Sequence, residues 1–285
     1  MGKSKSSKSI RKKEIVSTQF PVAQNLLKWY DRNRRDLPWR ESTDPYRVWL
    51  SEIMLQQTRV NQAIDYYFRF LKAFPRIEDL ADAREQVVLK LWQGLGYYSR
   101  ARNLHGAAKQ VVNEYGGVFP SKYHEIKSLK GVGPYTAAAI GSISFGIPEP
   151  AVDGNALRVM SRFFGIHTPV NSPAGFNQVK EKMLSVIDQQ RPGDFNQAVM
   201  ELGATLCAPR NPDCAHCPLS SGCLANANQL TDVLPVKKAK KPPVSVQLRY
   251  LVVQYNDKVY LRQRGTGAIW ANMFDFPELS AGESG

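Results

Sequence analysis

The stretch SLKGVGPYT, residues 128–136, decides the fold of this chain. Hydrophobic residues with helical spacing flank it at 121–129 and 135–145. Gly131 and Gly133 allow a tight turn that comes close to a ligand, and Pro134 suits the first position of the second helix. The free N–H groups of that helix start would then face outward and could hold a DNA phosphate. An ordinary turn between two helices has the same pattern, so the stretch alone leaves both interpretations open.

Helical patterns extend in both directions from this turn. Asp44 and Pro45 form a helix start, because Asp caps free N–H groups and Pro lacks the N–H that would need a partner. We therefore predict a nearly all-helical region up to about residue 225. Its further helices are predicted at 22–34, 61–74, 84–93, 100–114, 155–164, 175–190 and 194–205.

The composition restricts the functional classes. Hydrophobic residues make up 43% of the 285, which excludes wholesale disorder. No apolar run of about 18 residues and no secretory signal are present, so we expect no membrane span. Lys and Arg number 38 against 25 Asp and Glu, a net charge of +13, which favours an anionic partner such as a nucleic acid. We expect a cytoplasmic, nucleoid-associated protein if the source is bacterial and a nuclear one if it is eukaryotic.

The two ends of the chain differ from its centre. A Lys- and Pro-rich run, DVLPVKKAKKPPVSV, has the composition of an exposed linker. Beyond it, β-rich runs at 248–255 and 259–262 are separated by Asn256 and Asp257, which suit a tight hairpin. The predicted organisation is a basic disordered tail at 1–14, a helical domain at 15–226, a linker at 227–245 and a partial β-containing domain at 246–285.

All four cysteines of the chain lie within one short segment, with the spacing C-x6-C-x2-C-x5-C. So close a group without a secretion signal favours a metal site over disulfides. Zinc usually takes two paired knuckles, whereas a four-cysteine iron–sulfur cluster fits one C-x2-C pair with two single cysteines better. Zinc and free thiols remain as alternatives. The predicted ligands are Cys207, Cys214, Cys217 and Cys223.

This cysteine spacing resembles the 4Fe-4S loop of the endonuclease III family of DNA glycosylases, and residues 121–143 resemble the helix-hairpin-helix of the same superfamily. The resemblance implies a mainly α helix-hairpin-helix glycosylase fold with one 4Fe-4S cluster at 207–223, followed by the start of a small α+β, Nudix-like domain. Between about residues 20 and 225 the chain is similar to the MutY-type adenine DNA glycosylases. The segments that carry this are DLPWR (36–40), VWLSEIMLQQTRV (48–60), GLGYYSRARNLH (94–105), GVGPYTAAAIGSISFG (131–146), VDGNALRVMSR (152–162) and FNQAVMELGATLC (195–207).

Two positions distinguish the branches of this superfamily. Members that also cleave the DNA strand carry a lysine where this chain has Tyr135, so the resemblance implies a monofunctional glycosylase. Glu52 marks the adenine-removing branch and would be the general acid, with a pKa raised by an apolar setting. Asp153 would stabilise the sugar cation or bond to it transiently, with Tyr135 and Asn155 orienting the Asp153 carboxylate and the attacking water. From residue type alone, Glu52 could instead be a solvated helix residue and Asp153 an N-cap.

The resemblance also implies contacts with DNA, because the target base must leave the duplex stack. Gln57 and Tyr97 match the family's intercalating residues, although a polar helix end and a packed core tyrosine are the simpler interpretations. The DNA-contacting set is completed by Thr58, Leu95, Gly131, Val132 and Gly133. Trp39, Arg35 and Gln197 are similar to positions around the extruded adenine, and Arg40 is expected among the phosphate contacts.

The expected partner is double-stranded DNA with an A·8-oxoguanine or A·G mispair, bound by a monomer. The segment RQRGTGAIWANMFDFPE (262–278) resembles the opening of the family's C-terminal domain, which helps to recognise 8-oxoguanine. No Nudix box is visible, and we expect a weakened preference for 8-oxoguanine over guanine. Two alternatives remain: a thymine or uracil mismatch glycosylase, against which Glu52 argues, and a non-catalytic iron–sulfur DNA-binding module.

Overall fold

The computed structural model describes residues 20–239, 242–243, 245–265 and 273–279. These residues divide into two compact units, one ending at Lys238 and one beginning at Ala239. The predicted tail at 1–14 lies outside the described residues, as do residues 240, 241 and 244 of the predicted linker and residues 266–272 of the 262–278 segment.

The first unit is helical, as its hydrophobic periodicity predicts. Among the described residues no helix has the length and apolar character that crossing a membrane requires. Short 3₁₀ turns occur at Pro38–Arg40 and Ser220–Gly222. The α-helices are α1 (Val22–Asn33), α2 (Pro45–Leu55), α3 (Val60–Ala73), α4 (Ile77–Asp82), α5 (Glu85–Trp92), α6 (Ser99–Tyr115), α7 (Tyr123–Ser128), α8 (Pro134–Phe145), α9 (Gly154–Phe164), α10 (Pro173–Leu184), α11 (Pro192–Thr205) and α12 (Leu224–Ala227).

The helix start predicted from Asp44 and Pro45 is confirmed, since the Asp44 side chain accepts from the backbone N–H groups of Tyr46 and Arg47. The structure differs from the predictions in three helices. The short helices α4 and α12 were not predicted, and α10 ends at Leu184 instead of reaching 190. In the latter region the Asp188 carboxylate accepts hydrogen bonds from the backbone N–H groups of residues 190 and 191, which form a turn in place of further helix.

Two hydrophobic cores hold the helical unit together. One is built from α2 to α8 and includes Trp49, Phe70 and Trp92, each with no exposed surface. The other is built from α1 and α9 to α11 and includes Tyr30 and Phe195. Helix α8 packs against both α2 and α11, so it joins the two cores. The candidate site lies where these two groups of helices meet.

The second unit contains two small antiparallel sheets. Strands β1 (Gln254–Tyr255) and β2 (Lys258–Val259) form a hairpin, and β3 (Arg262–Gln263) pairs with β4 (Phe274–Asp275). The predicted turn is confirmed, because Asn256 has φ of 51°. The strands are shorter than the β-rich runs from which they were predicted. A Nudix-like fold for this unit stays a prediction.

Candidate active site

A cavity of about 760 Å³ lies between the two cores, and most of the predicted site residues line it. Helices α2, α8, α9 and α11 and the loops around residues 35–40 and 56–58 form its walls. Residues separated by more than 100 positions in sequence are thus brought to one place. The predicted residues that line it are Arg35, Trp39, Glu52, Gln57, Thr58, Gly131, Gly133, Tyr135, Asp153, Asn155 and Gln197.

Glu52 is buried on α2, with 9% of its surface exposed. This excludes the interpretation of a solvated helix residue. Burial raises the pKa of its carboxyl to about 7; the Tyr135 hydroxyl opposes the shift, Asp153 adds to it, and Arg40 opposes it. The predicted rise in pKa is confirmed, and Glu52 can hold a proton near neutral pH.

Asp153 presents a second carboxylate to the cavity from the start of α9. It is indeed the N-cap of that helix, since one carboxylate oxygen accepts from the Ala156 N–H at 2.7 Å. The other accepts from the Asn155 amide at 2.8 Å. Burial raises the pKa of Asp153, while these hydrogen bonds and the Arg158 cation lower it. The capping and functional interpretations of Asp153 are therefore compatible.

Arg158 holds the Asn155 side chain in place. Its Nη2 donates to Asn155 Oδ1 and to the Gly203 carbonyl, both at 2.8 Å, and its Nε donates to the Cys207 carbonyl at 2.7 Å. Asn155 therefore has its oxygen engaged by Arg158 and its nitrogen by Asp153, which sets the orientation of the amide.

Tyr135 enters the cavity from the first turn of α8, and its hydroxyl donates to Met200 Sδ at 3.2 Å. Burial and the two neighbouring carboxyl groups, Glu52 and Asp153, raise the pKa of this phenol well above its ordinary value. Tyr135 therefore stays protonated and acts as a neutral hydroxyl group in the same cavity as the two carboxyls.

The residues predicted around the base form one side of the cavity. Trp39 is 8% exposed and packs edge-on against Tyr67, with ring centroids 5.7 Å apart. Gln197 Oε1 accepts from the Tyr30 hydroxyl at 3.3 Å. An aromatic wall with an adjacent amide suits a flat heteroaromatic base, because the ring stacks while the amide hydrogen-bonds its edge.

Glu201 is a cavity residue that the sequence analysis missed. It has no exposed surface and accepts from Arg35 Nε and Nη2 at 2.7 and 2.9 Å and from Arg40 Nη2 at 2.7 Å. Burial alone would raise the pKa of this carboxyl, but its hydrogen bonds with the two arginines bring it down to about 2. These bonds join the 35–40 loop, which carries Trp39, to α11.

This arrangement corrects one expectation. The side chain of Arg40 is only 11% exposed and binds Glu201 and the Arg35 carbonyl, so it is not placed as a surface contact for phosphate. No local sequence pattern could have shown this, because the two residues are 161 positions apart.

The two residues predicted to enter the DNA stack lie on loops with unusual backbone geometry. Gln57 and Tyr97 both have positive φ, 58° and 46°. Both side chains are exposed, and Tyr97 reaches 62%, which excludes a packed core tyrosine. Left-handed backbone is uncommon for residues other than glycine and often marks functional loops.

The remaining residues predicted to contact DNA differ in how far they are buried. In the hairpin, Gly131 has φ of 76°, and a Cβ there would lie 2.6 Å from Asn103 Cβ, so glycine is required. Gly133 is the N-cap of α8, which has no side-chain cap. Val132 and Leu95 are 7% and 6% exposed and pack in the α2–α8 core, so their side chains do not line the cavity.

The four cysteines surround a second, smaller cavity beside α9. Arg162 Nη1 lies 3.3 Å from Cys207 Sγ, and the Cys223 thiol donates to the Arg162 carbonyl. Within the part of the chain that the structure describes, no group of three or more His, Cys, Asp or Glu side chains is placed to hold a metal ion.

Comparison with known proteins finds relatives in sequence and in fold. The profile of the HhH-GPD superfamily of base excision DNA repair proteins matches residues 50–184. The adenine DNA glycosylase of Buchnera aphidicola subsp. Baizongia pistaciae is 39% identical over 269 residues, covering 92% of this chain and 75% of that protein. The adenine DNA glycosylase of Mus musculus is 47% identical over 210 residues, covering 70% and 41%. A solved thermostable thymine-DNA glycosylase has a TM-score of 0.67 and 31% identity, covering 73% of this chain and 95% of its own.

Proposed function

The chain belongs to the adenine DNA glycosylases, hydrolases of the HhH-GPD base excision repair superfamily that remove adenine from DNA, and we propose that its substrate is adenine mispaired with 8-oxoguanine or guanine. The observation that carries the proposal is the pairing of two unlike carboxyl groups in one cavity. Burial raises the pKa of both carboxyls. Glu52 reaches a pKa of about 7 and can donate a proton, whereas hydrogen bonds from Ala156 and Asn155 oppose the rise at Asp153.

The chemistry requires two groups with these properties. Breaking the bond between C1′ of the sugar and N9 of adenine leaves a base that departs poorly as an anion and a sugar that carries positive charge. The Glu52 carboxyl donates its proton to N7 of adenine, so the base leaves as a neutral molecule. The Asp153 carboxylate faces the developing cation at C1′ and stabilises it, with its orientation fixed by Asn155.

Water then adds to C1′ and loses one proton, which restores the Glu52 carboxyl, so the products are free adenine and an abasic site. Tyr135 stands where a lysine would form a Schiff base with the sugar. Its phenol stays protonated in the same cavity as the two carboxyls and supplies no amine nucleophile. The reaction therefore ends at the abasic site and leaves the DNA strand intact, which makes the enzyme monofunctional.

The hairpin and the loops that carry Gln57 and Tyr97 hold and open the DNA. The uncapped start of α8, with Gly133 at its N-cap and Gly131 beside it, offers backbone N–H groups to a phosphate. Gln57 and Tyr97 enter the stack and replace the extruded adenine, with Thr58 beside them. The net charge of +13 adds attraction to the phosphate backbone that does not depend on sequence.

We also propose that the cysteine loop carries one 4Fe-4S cluster. The donor set fits, because four thiols surround one cavity beside α9 and Arg162 places positive charge 3.3 Å from Cys207 Sγ. Cys207, Cys214, Cys217 and Cys223 would hold the cluster, which would tie the 207–223 loop to α9 and α11. The Arg158 contact with the Cys207 carbonyl then connects this loop to Asn155 at the reacting site.

The test is a single-turnover assay with one adenine opposite 8-oxoguanine in a duplex, developed with and without hot alkali. We expect a cut at the adenine only after alkali. An A·G duplex, an A·T duplex and a T·G duplex are run in parallel. Excision from A·T as fast as from either mispair would refute the mispair proposal. Cutting without alkali would refute the monofunctional mechanism, and preferential cutting of T·G would support the thymine-DNA glycosylase alternative.

A further inference from the structure

Arg100 is an unusually well-connected arginine at the start of α6. Its Nη1 donates to the carbonyls of Ile53, Met54 and Gln56 at 2.9, 3.1 and 2.6 Å. Its Nη2 donates to the carbonyls of Leu95 and Gly96 at 3.1 and 3.3 Å. One guanidinium group therefore binds the end of α2 and the loop before α6 at the same time.

This placement is costly for a cation. The hydrogen bonds of Arg100 go to carbonyl and hydroxyl oxygens, and none goes to a carboxylate. Its Nε is buried without a hydrogen-bond partner, and burial lowers the pKa of the guanidinium. A positive charge is also disfavoured in the first turn of α6, where the helix dipole is positive. The hydrogen bonds that the two Nη atoms make with the end of α2 and with the loop before α6 offset this cost.

The carbonyls at the end of α2 are the groups that a helix leaves without intrahelical partners. Arg100 satisfies them and places a cation at the negative end of the helix dipole. Ile53 directly follows Glu52, so this contact fixes the turn of α2 that carries the general acid.

The same guanidinium fixes both residues that we place in the DNA stack. Gln57 follows the bound Gln56 carbonyl, and Tyr97 follows the bound Gly96 carbonyl. Both have positive φ, a conformation that costs energy in residues other than glycine and therefore needs support. The guanidinium carbon also lies 5.7 Å from the Tyr97 ring centroid.

We propose that Arg100 is a positioning residue that holds the Gln57 loop, the Tyr97 loop and the Glu52 turn in one fixed arrangement. When Gln57 and Tyr97 enter the duplex, Glu52 is then already placed to protonate the extruded base. The proposal rests on the function proposed above, in which Gln57 and Tyr97 replace the extruded adenine. A lysine cannot substitute, because one ammonium group lacks the two separated nitrogens that reach both loops.

The test compares wild type with Arg100→Lys, and uses Arg69→Lys, the same change at an exposed arginine outside the cavity, as the matched control. The first readout is the single-turnover excision rate on the A·8-oxoguanine duplex. We expect Arg100→Lys to lose roughly a hundredfold, the effect of a small misplacement of reacting groups, and Arg69→Lys to lose none. Affinity for a duplex with a stable abasic analogue opposite 8-oxoguanine should stay near wild type, because no base must be extruded.

Hydrogen exchange provides a second readout that a merely structural role would not produce. In Arg100→Lys, exchange should increase in segments 53–59 and 94–98 together, while the hairpin at 128–136 and α9 keep wild-type protection. Faster exchange throughout the helical unit, a change in one loop only, or an excision rate within about twofold of wild type would each overturn the proposal. If wild type itself failed to excise adenine, the proposed function would fail, and the exchange data would still decide the role of Arg100.

Discussion

Excision should depend on pH through Glu52, and the expected profile follows from its burial. The pKa of Glu52 is about 7 in the folded protein against an ordinary 4.5. About half of the molecules hold the catalytic proton at pH 7 and about a tenth at pH 8. With an ordinary pKa, fewer than about one molecule in a hundred would hold it at pH 7. The single-turnover rate should therefore fall about tenfold for each pH unit above 8.

The same shift predicts a stability difference between wild type and Glu52→Gln. Because the folded pKa is raised, folding favours the protonated carboxyl. The contribution of Glu52 is thus fully present below pH 4.5 and is lost as the pH rises through 7. At pH 8 the wild type has lost about 3 kcal/mol of this contribution, and at pH 5 it has lost about 1 kcal/mol. Glutamine does not lose a proton in this pH range. Between pH 5 and pH 8 the variant should therefore gain about 2 kcal/mol of stability relative to wild type.

Denaturant unfolding of both proteins at several pH values measures this gain, and quenched-flow excision measures the rate profile. Glu125→Gln, a change at a partly exposed carboxylate on α7, is the control and should show no comparable gain. An excision rate that stays constant from pH 6 to pH 9, or a stability difference between wild type and Glu52→Gln that does not change with pH, would refute burial of the general acid as its source of reactivity.

Three further predictions concern the parts that build the site. Glu201→Gln leaves Arg40 buried without a counter-charge, so the free energy of unfolding should fall by about 3–5 kcal/mol. The control Asp194→Asn, at an exposed ion pair, should cost at most about 1 kcal/mol. Equal effects of the two changes in denaturant unfolding would contradict the burial of Glu201. In Gly131→Ala the new Cβ is strained by a φ of 76° and clashes with Asn103, so DNA affinity should fall. Gly116→Ala, with a similar φ but open space around it, should retain DNA affinity in an anisotropy titration. Equal loss of affinity in both variants would show that backbone strain alone is responsible. Cys217→Ser should lower the iron content and the visible absorbance of the purified protein. The control Ser220→Ala, at a neighbouring residue of the same cavity, should change neither. An unchanged iron content in Cys217→Ser would exclude Cys217 as a ligand.

The sequence predicted those parts of the fold that are encoded by nearby residues. Asp44 and Pro45 start α2 because a side-chain cap acts within three residues, and the hairpin follows from two glycines and a proline. Helix α4 was missed because its Arg76–Asp79 hydrogen bonds involve a residue type that rarely caps.

The site was only partly predictable for a related reason. Glu52, Asp153 and Tyr135 were identified through the family resemblance, while the charge environment that gives them their properties depends on distant partners. Neither Arg40 with Glu201 nor Arg100 with the end of α2 has a spacing that a sequence pattern could show, since 161 and 47 positions separate the partners. Burial of a charged residue is decided by the tertiary fold, and hydrophobic periodicity does not report it.

The role of Glu52 is tested by comparing adenine release by wild type and Glu52→Gln on an A·8-oxoguanine duplex, with binding to the same duplex measured alongside. Glutamine keeps the size of the side chain and removes the transferable proton. We expect loss of excision with affinity close to wild type. Excision by Glu52→Gln at the wild-type rate would show that this buried carboxyl does not protonate the departing base.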